Sequence, residues 1–269
     1  MTTTDPLQPA VDWYARQGWS PLPFQRQAWS AYLEGRDGLV ASPTGSGKTN
    51  AVALGPMLAR RAEGPVGSET ETPDPIRMIW ITPLRALAAD TTRALQRAVK
   101  ALEIPWSVEL RTGDTSSSVK ARQRTRMPSV LVTTPESLAL LLTWKQAESQ
   151  FGSLTAVVCD EWHELVGSKR GSMLELALAR LRSLAPALRT WGLSATIGNI
   201  ETASRVLVGT SRPDPVIIRD ATPKTIQLET LLPESIERYP WAGHLGTRLL
   251  RPVVEQIHAA NSTLIFTNT

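Results

Sequence analysis

Eight residues constrain this chain more than any others: Ser42-Pro43-Thr44-Gly45-Ser46-Gly47-Lys48-Thr49. A short apolar run, Gly38-Leu39-Val40-Ala41, precedes them and reads as a buried strand, and Asn50-Ala51-Val52-Ala53-Leu54, rich in helix formers, follows. Strand, glycine loop and helix in that order form the setting in which a phosphate-binding loop is credible. Gly45 and Gly47 allow positive φ and a close backbone approach to a ligand. Amides of Thr44 to Gly47 can then point inward, and the helix N-terminus adds partial positive charge, so a polyphosphate fits. Lys48 would reach β- and γ-phosphates as a point charge, and the Thr49 hydroxyl would hold Mg²⁺. The usual pattern has Gly where this chain has Ser42, a residue small enough for the turn. Taken alone, the stretch could also be a Gly/Ser loop that caps a helix.

Composition narrows the class. A chain of 269 residues allows one large or two modest domains. No apolar run reaches the roughly 18 residues of a membrane-spanning helix, so no membrane partner is expected. The N-terminal residues lack the charged and apolar regions of a signal peptide. Cys159 is the one cysteine, which excludes an internal disulfide and fits a reducing cytoplasm. A formal charge of +4 permits a nucleic-acid partner without demanding one.

Read in order, the chain alternates strands with helices. Helices are expected over 11–19 and 24–33, and from the phosphate loop to about 61. A Gly/Pro-rich surface loop at 62–75 follows. Strands are expected over 76–81, 106–110, 130–133, 154–159 and 190–193, with helices over 82–102, 118–126, 173–184 and 200–208 and one opening at Pro135, capped by Thr134. Such alternation implies an α/β fold with a parallel sheet covered on both faces. Ligands of such sheets sit beyond the carboxyl ends of strands. The phosphate loop, Thr82-Pro83, Thr133-Thr134-Pro135, Asp160-Glu161 and Ser194-Ala195-Thr196 all follow expected strands, so order alone puts them on one edge. After Gly209 the character changes. Residues 1–210 are expected as one domain with its N-terminal helices, and 211–269 as a linker and the beginning of a second. That second part would hold strands at 216–218, 226–232 and 262–266 and a helix at 250–260. A buried strand at 262–266 without its following helix is half a βα unit, so only part of the second domain is expected.

The run Val157-Val158-Cys159-Asp160-Glu161-Trp162-His163-Glu164 ends an apolar strand on two adjacent carboxylates. Asp160 would hold a hydrated Mg²⁺, and Glu161 would orient and deprotonate an attacking water. By itself the run could be a strand entering a solvated acidic turn; about 110 residues after a phosphate loop, the chemical reading is favoured.

Together with Ala41 to Thr49, Asp160-Glu161-Trp162-His163 resembles the DExH box of superfamily 2 helicases, and Ser194-Ala195-Thr196 resembles their third motif. Phe24-Gln25 is similar to the upstream glutamine motif. Thr82-Pro83-Leu84-Arg85-Ala86-Leu87, Arg111-Thr112-Gly113-Asp114 and Thr133-Thr134-Pro135-Glu136-Ser137-Leu138 resemble strand-contacting motifs of a first RecA-like domain. Leu264 to Thr269 resembles the fourth motif, which opens the second RecA-like domain. Trp162 inside the box and the Thr-Pro-Glu-Ser-Leu wording are similar to large helicase-related (Lhr-type) proteins, and Phe24 to Trp29 suggests the bacterial ligase-associated branch.

The resemblance implies a RecA-like P-loop NTPase domain that uses ATP and Mg²⁺. It implies that Gln25 bonds the adenine edge, that His163 links the γ-phosphate state to Ser194, Ala195 and Thr196, and that Arg85, Thr112, Gly113, Thr134 and Pro135 touch strand phosphates. Trp19 is a candidate to stack on the base. The expected activity is ATP-driven movement on single-stranded or tailed DNA. The resemblance adds 3′ to 5′ direction, DNA repair in the bacterial cytoplasm or nucleoid, and a ligase-associated nuclease as a partner. RNA helicase and non-helicase translocase remain alternatives, since strand contacts of this kind do not distinguish sugars. The fifth and sixth motifs, with the arginine finger, do not occur in these residues, so poor hydrolysis by these residues alone is expected. Lys120, Arg122, Arg124 and Arg126 read as a solvated helix face, or as a rim for nucleic-acid phosphates.

Overall fold

Successive residues of the central strands point to different cores, and that alternation builds the layers. The computed structural model describes residues 5–43, 45–64, 75–195, 197–221, 227–231 and 249–266. Thr44 and Thr196, both expected site residues, lie outside that set, as do most of the loop at 62–75 and Thr267 to Thr269.

The first of two units, Met1–Ala221, begins with α1 (Gln8–Arg16) and α2 (Pro23–Leu33), then β1 (Gly38–Ala41) and α3 (Lys48–Ala62). Next come β2 (Met78–Ile81), α4 (Arg85–Ala101), β3 (Val108–Arg111), α5 (Ser117–Thr125), β4 (Val130–Thr133) and α6 (Pro135–Leu142). Then follow α7 (Ala147–Phe151), β5 (Ala156–Cys159), α8 (Trp162–Leu165), α9 (Lys169–Leu184), β6 (Arg189–Ser194), α10 (Ile200–Val208) and β7 (Val216–Arg219). Among the described residues the seven strands form one sheet in the order β3-β4-β2-β5-β6-β1-β7. All pairings are parallel.

Val40, Met78, Trp80, Val132, Val158 and Trp191 face one core, against α1 to α4. Their neighbours Leu39, Ile79, Ile81, Leu131, Val157 and Cys159 face the other, against α6 to α10. The sheet is therefore covered on both faces, as the alternation of elements implies. Four tryptophans, Trp29, Trp80, Trp162 and Trp191, are among the fully buried side chains. Fully burying an aromatic of this size stabilises a fold by roughly 2–3 kcal/mol, so they anchor both layers. Gly38 makes room for one of them: a Cβ there would stand 2.6 Å from the Trp191 ring.

Several element boundaries shift by a few residues from the sequence reading, α1 and α9 among them, and two shifts bear on the site and the domain. The long helix expected from Thr82 begins only at Arg85, because Pro83 and the extended Leu84 keep the chain in a loop. The domain boundary expected at 210 falls after Ala221. The reason is β7, which pairs along its whole length with β1, Gly38 opposite Val216 through Ala41 opposite Arg219. Residues 211–215 thus connect α10 to the edge strand of the same sheet.

In the second unit, Thr222–Thr269, α11 (Leu250–Ala259) follows the expectation for 250–260. The strand expected over 226–232 is not formed at 227–231, and its ends lie outside the described residues. At 262–266 no ladder is formed either, and Leu264, Ile265 and Phe266 are exposed. An apolar run becomes a strand only where another strand supplies its hydrogen bonds.

Candidate nucleotide site and strand-facing loops

β1, β6 and β5 lie side by side, and their carboxyl ends deliver the phosphate loop, Ser194-Ala195 and Asp160-Glu161 to one place. Gly45 (φ 77°) and Gly47 (φ 82°) take the left-handed backbone that only glycine adopts without strain. Lys48 opens α3 and is buried, yet its Nζ makes no hydrogen bond, and its ionic neighbour is Glu161 Oε2 at 3.9 Å. A buried ammonium without a hydrogen-bond acceptor is poised for an anionic ligand. Ser194 Oγ is likewise buried without a partner. These two orphaned atoms, with the positive-φ loop, fit a triphosphate. An acid pair beside them fits its magnesium ion.

Asp160 hangs from the end of β5. Trp80 Nε1 on the adjacent strand donates to its Oδ2 at 3.2 Å, and the Glu161 amide donates to its Oδ1 at 3.0 Å. Burial, reinforced by the Glu161 charge, pushes its carboxyl up to about 6. Lys48 pulls in the opposite direction, which also places it within electrostatic reach. Glu161 itself occupies the left-handed region, at φ 46° and ψ 49°. For a residue with a side chain this costs on the order of 1–3 kcal/mol, and it turns the second carboxylate back toward Lys48. His163 follows on α8. The Ala195 amide donates to its Nδ1 at 3.2 Å, so the ring proton sits on Nε2. Nδ1 is therefore an acceptor, and its 3.5 Å approach to Glu161 Oε2 is not a hydrogen bond.

Gln25 is locked rather than free. Its Oε1 accepts from the Leu22 amide at 2.9 Å, and its Nε2 donates to the Gly47 carbonyl at 3.2 Å. A Cβ on Gly47 would stand 2.6 Å from that nitrogen. Beside it opens a cavity of about 800 Å³ lined in part by Trp13, Trp19, Gly47, Thr49, Asn50 and Arg97. Trp19 is 57% exposed there and packs edge-on against Tyr14. Ser42, the departure from the usual glycine, meets the Ser46 hydroxyl and donates to Asp220 Oδ2 at 2.8 Å. Trp80 and Asp220 were not singled out in the sequence. Neither belongs to a spaced motif, and only strand adjacency brings them in.

The loops expected to face a nucleic-acid strand lie on the same edge, beyond β2, β3 and β4. Arg85 opens α4 and pairs with Asp114 at 3.3 Å across exposed surface. Thr112 and Gly113 are held in a turn in which the Thr112 amide donates to Thr115 Oγ1 at 2.9 Å and Lys120 Nζ donates to the Gly113 carbonyl at 2.7 Å. Thr134 Oγ1 accepts from the Ser137 amide, which makes it the expected cap, with Pro135 as the first helical residue. Of the basic run, Lys120 is bonded to this turn and Arg122 to Glu109 at 2.8 Å, while Arg124 lies over the Trp144 ring. Arg170, which no local sequence pattern marks, bonds Glu136 and the Pro83 carbonyl.

This fold and this cleft define a phosphate-loop nucleotide-binding α/β domain. The comparisons sharpen that class: residues 22–203 match the DEAD/DEAH box helicase family, and the chain belongs to it. It is 35% identical to the ATP-dependent helicase Lhr-Core of Methanocaldococcus jannaschii, over 97% of this chain and 32% of that protein. It is 34% identical to the Lhr helicase/probable uracil glycosylase of Mycolicibacterium smegmatis, over 96% of this chain and 17% of that protein. A solved structure of Mycobacterium smegmatis helicase Lhr bound to ssDNA and AMP-PNP superposes with a TM-score of 0.76 at 30% identity, covering 99% of this chain and 35% of that one. The helicase MrfA bound to DNA, at 22% identity and TM-score 0.65, shares the fold over 82% of this chain and 30% of that one. The expected Lhr-type likeness is thus present, and the chain spans about a third or less of the length of these relatives.

Proposed function

We propose that this chain is the ATP-binding domain of a DNA helicase or translocase. The observation that carries the reading is the convergence of Lys48, Asp160 and Glu161 in one cleft, with Lys48 Nζ buried and lacking an acceptor. Lys48 and the amides of the phosphate loop would bind the triphosphate, with Thr44 and Ser46 in the cradle. Gln25 holds the loop against α2, and its second amide hydrogen would be left for the adenine edge in the cavity beside Trp19. Thr49 and Asp160 would hold Mg²⁺, which would neutralise charge developing on the phosphoryl oxygens. Glu161, turned toward Lys48 by its left-handed backbone, would orient the attacking water and take its proton. His163, which accepts the Ala195 amide, would report the state of that site to Ser194 and Thr196.

On the same edge, Arg85, Thr112, Gly113, Thr134 and Pro135 would hold phosphates of a single strand without reading its sequence. The DNA bound in the Lhr structure of 30% identity supports DNA over RNA. Direction 3′ to 5′, a repair role in the cytoplasm or nucleoid, and a ligase-associated nuclease as partner belong to the same reading through the Lhr-type likeness. Residues beyond 221 would lead into a second RecA-like domain. ATP turnover by the full-length protein, measured with DNA and with RNA single strands, tests the proposal. Stimulation by DNA that Glu161→Gln abolishes while nucleotide binding persists is the expected result. Turnover indifferent to either polymer contradicts it.

A further inference from the structure

Arg170 stands at the second position of α9, after Lys169. Two cations in a helix's first turn oppose its macrodipole, so their placement needs another reason. Arg170 spends its donors on two other segments. Nε donates to Glu136 Oε1 at 2.5 Å, Nη2 to Glu136 Oε2 at 3.3 Å, and Nη2 also to the Pro83 carbonyl at 3.1 Å. Glu136 follows Thr134-Pro135 at the start of α6, and Pro83 lies between β2 and Arg85. One planar guanidinium therefore ties both loops, and its fork fits a carboxylate bidentately as an ammonium cannot.

The neighbouring Gly171 carries a second, independent observation. A Cβ there would overlap the Leu165 carbonyl oxygen, so the first turn of α9 rests directly on the end of α8. The same carbonyl accepts from the Ser168 amide at 3.0 Å and from Ser168 Oγ at 2.6 Å. Ser168 in turn caps α9 by accepting from the Gly171 amide at 3.1 Å. α8 is the four-residue helix that starts with Trp162 and carries His163. The acid-pair segment thus meets α9 through a contact with no side chain to yield, and α9 reaches two of the three strand-facing loops, those at Pro83 and Glu136, through one arginine.

We infer that Arg170, seated by Gly171, is a positioning residue that holds the loops at Pro83 and Glu136 in register with the acid-pair segment, so that strand binding and nucleotide turnover are coupled through it. The inference rests on the proposed function above. It predicts a selective defect: Arg170 touches neither the phosphate loop nor either carboxylate of the acid pair, so nucleotide handling without DNA should survive its loss.

Full-length protein carrying Arg170→Ala, Arg170→Lys or Glu136→Gln would be assayed for ATP turnover with oligo-dT, and for oligo-dT binding by fluorescence anisotropy. Arg170→Ala and Glu136→Gln are expected to raise the oligo-dT concentration for half-maximal stimulation about tenfold, while KM for ATP and turnover without DNA stay within about twofold. Arg170→Lys should recover only part, because the two-pronged contact is lost. Equal scaling of stimulated and unstimulated turnover, with an unchanged half-maximal concentration, would overturn the inference while leaving the functional reading intact. Absence of stimulation in the unaltered protein would overturn both. Should Arg170→Ala not fold, Glu136→Gln, which leaves α9 intact, decides in the same way.

Discussion

The two halves of one sheet edge are built on opposite rules. Beyond β1, β5 and β6 the polar groups are buried and left incomplete. Lys48 Nζ and Ser194 Oγ have no hydrogen-bond partner, Asp160 is held near its charged neighbour Glu161, and Glu161 sits in a strained backbone. Beyond β2, β3 and β4 the groups are already satisfied, whether buried or exposed: buried Thr134 caps a helix, buried Thr112 closes a turn, and exposed Arg85 and Arg170 are paired with acids. The first half stores unfavourable interactions that a charged ligand would relieve. The second half is preorganised for a ligand that needs only to be positioned. Folding alone would not keep the first arrangement, because each feature lowers the stability of the empty domain.

Replacing groups on the two sides should therefore have opposite signatures. The largest effect is expected on turnover at the incomplete half. Lys48→Ala or Glu161→Gln in the full-length protein should lower ATP hydrolysis by at least about 10²-fold. Glu161→Gln should do so without loss of folding stability, which a denaturant melt beside the turnover assay would check.

Asp160→Asn gives the next effect, and its direction separates the halves most clearly. Between about pH 4 and pH 6 the folded state still holds a proton on Asp160 that the unfolded chain has released. The folded state then binds more protons than the unfolded one, so stability of the ligand-free protein falls as pH rises through that window. The ceiling is about 3 kcal/mol, lost by pH 7. Asp37, also pushed up by burial, adds to the same trend in both proteins. Urea melts from pH 4 to 7 should show Asp160→Asn more stable than the unaltered protein above pH 6, with the gap closing toward pH 4. Equal pH slopes would contradict the buried-charge account.

At the satisfied half the sign reverses and the size shrinks. Thr134→Ala removes a cap and should destabilise by about 1 kcal/mol at every pH. Arg85→Ala should leave stability within about 0.5 kcal/mol, since its pair with Asp114 is exposed, and should shallow the salt dependence of single-strand binding by about 0.7 of a log–log unit.

The legibility of the two halves in sequence follows the same division. The glycine loop and the acid pair are visible because their chemistry needs fixed residue types at fixed spacings, and the parallel sheet is visible because buried strands need unbroken apolar runs. Thr134-Pro135 is legible because a cap and a first-turn proline are local. Trp80 on Asp160, Asp220 on Ser42, and Arg170 across two loops are contacts between residues 80, 178 and 34 positions apart or more. They depend on which strands neighbour which, and no local pattern encodes that. β7 illustrates the same point: Val216 to Ile218 reads as a strand, but its partner β1 is set by topology, and that moved the boundary from 210 to 221. The apolar run at 262–266 shows the converse, a strand-like composition with no ladder formed.

The most direct test of the account is a crystal structure of the protein with a non-hydrolysable ATP analogue and Mg²⁺. The expected result places phosphate oxygens within hydrogen-bonding distance of Lys48 Nζ, the metal on the side of Asp160 and Thr49, and the base in the cavity beside Trp19. A nucleotide bound elsewhere, with Lys48 still paired only to Glu161, would contradict the claim that the incomplete half of the edge is built for a triphosphate.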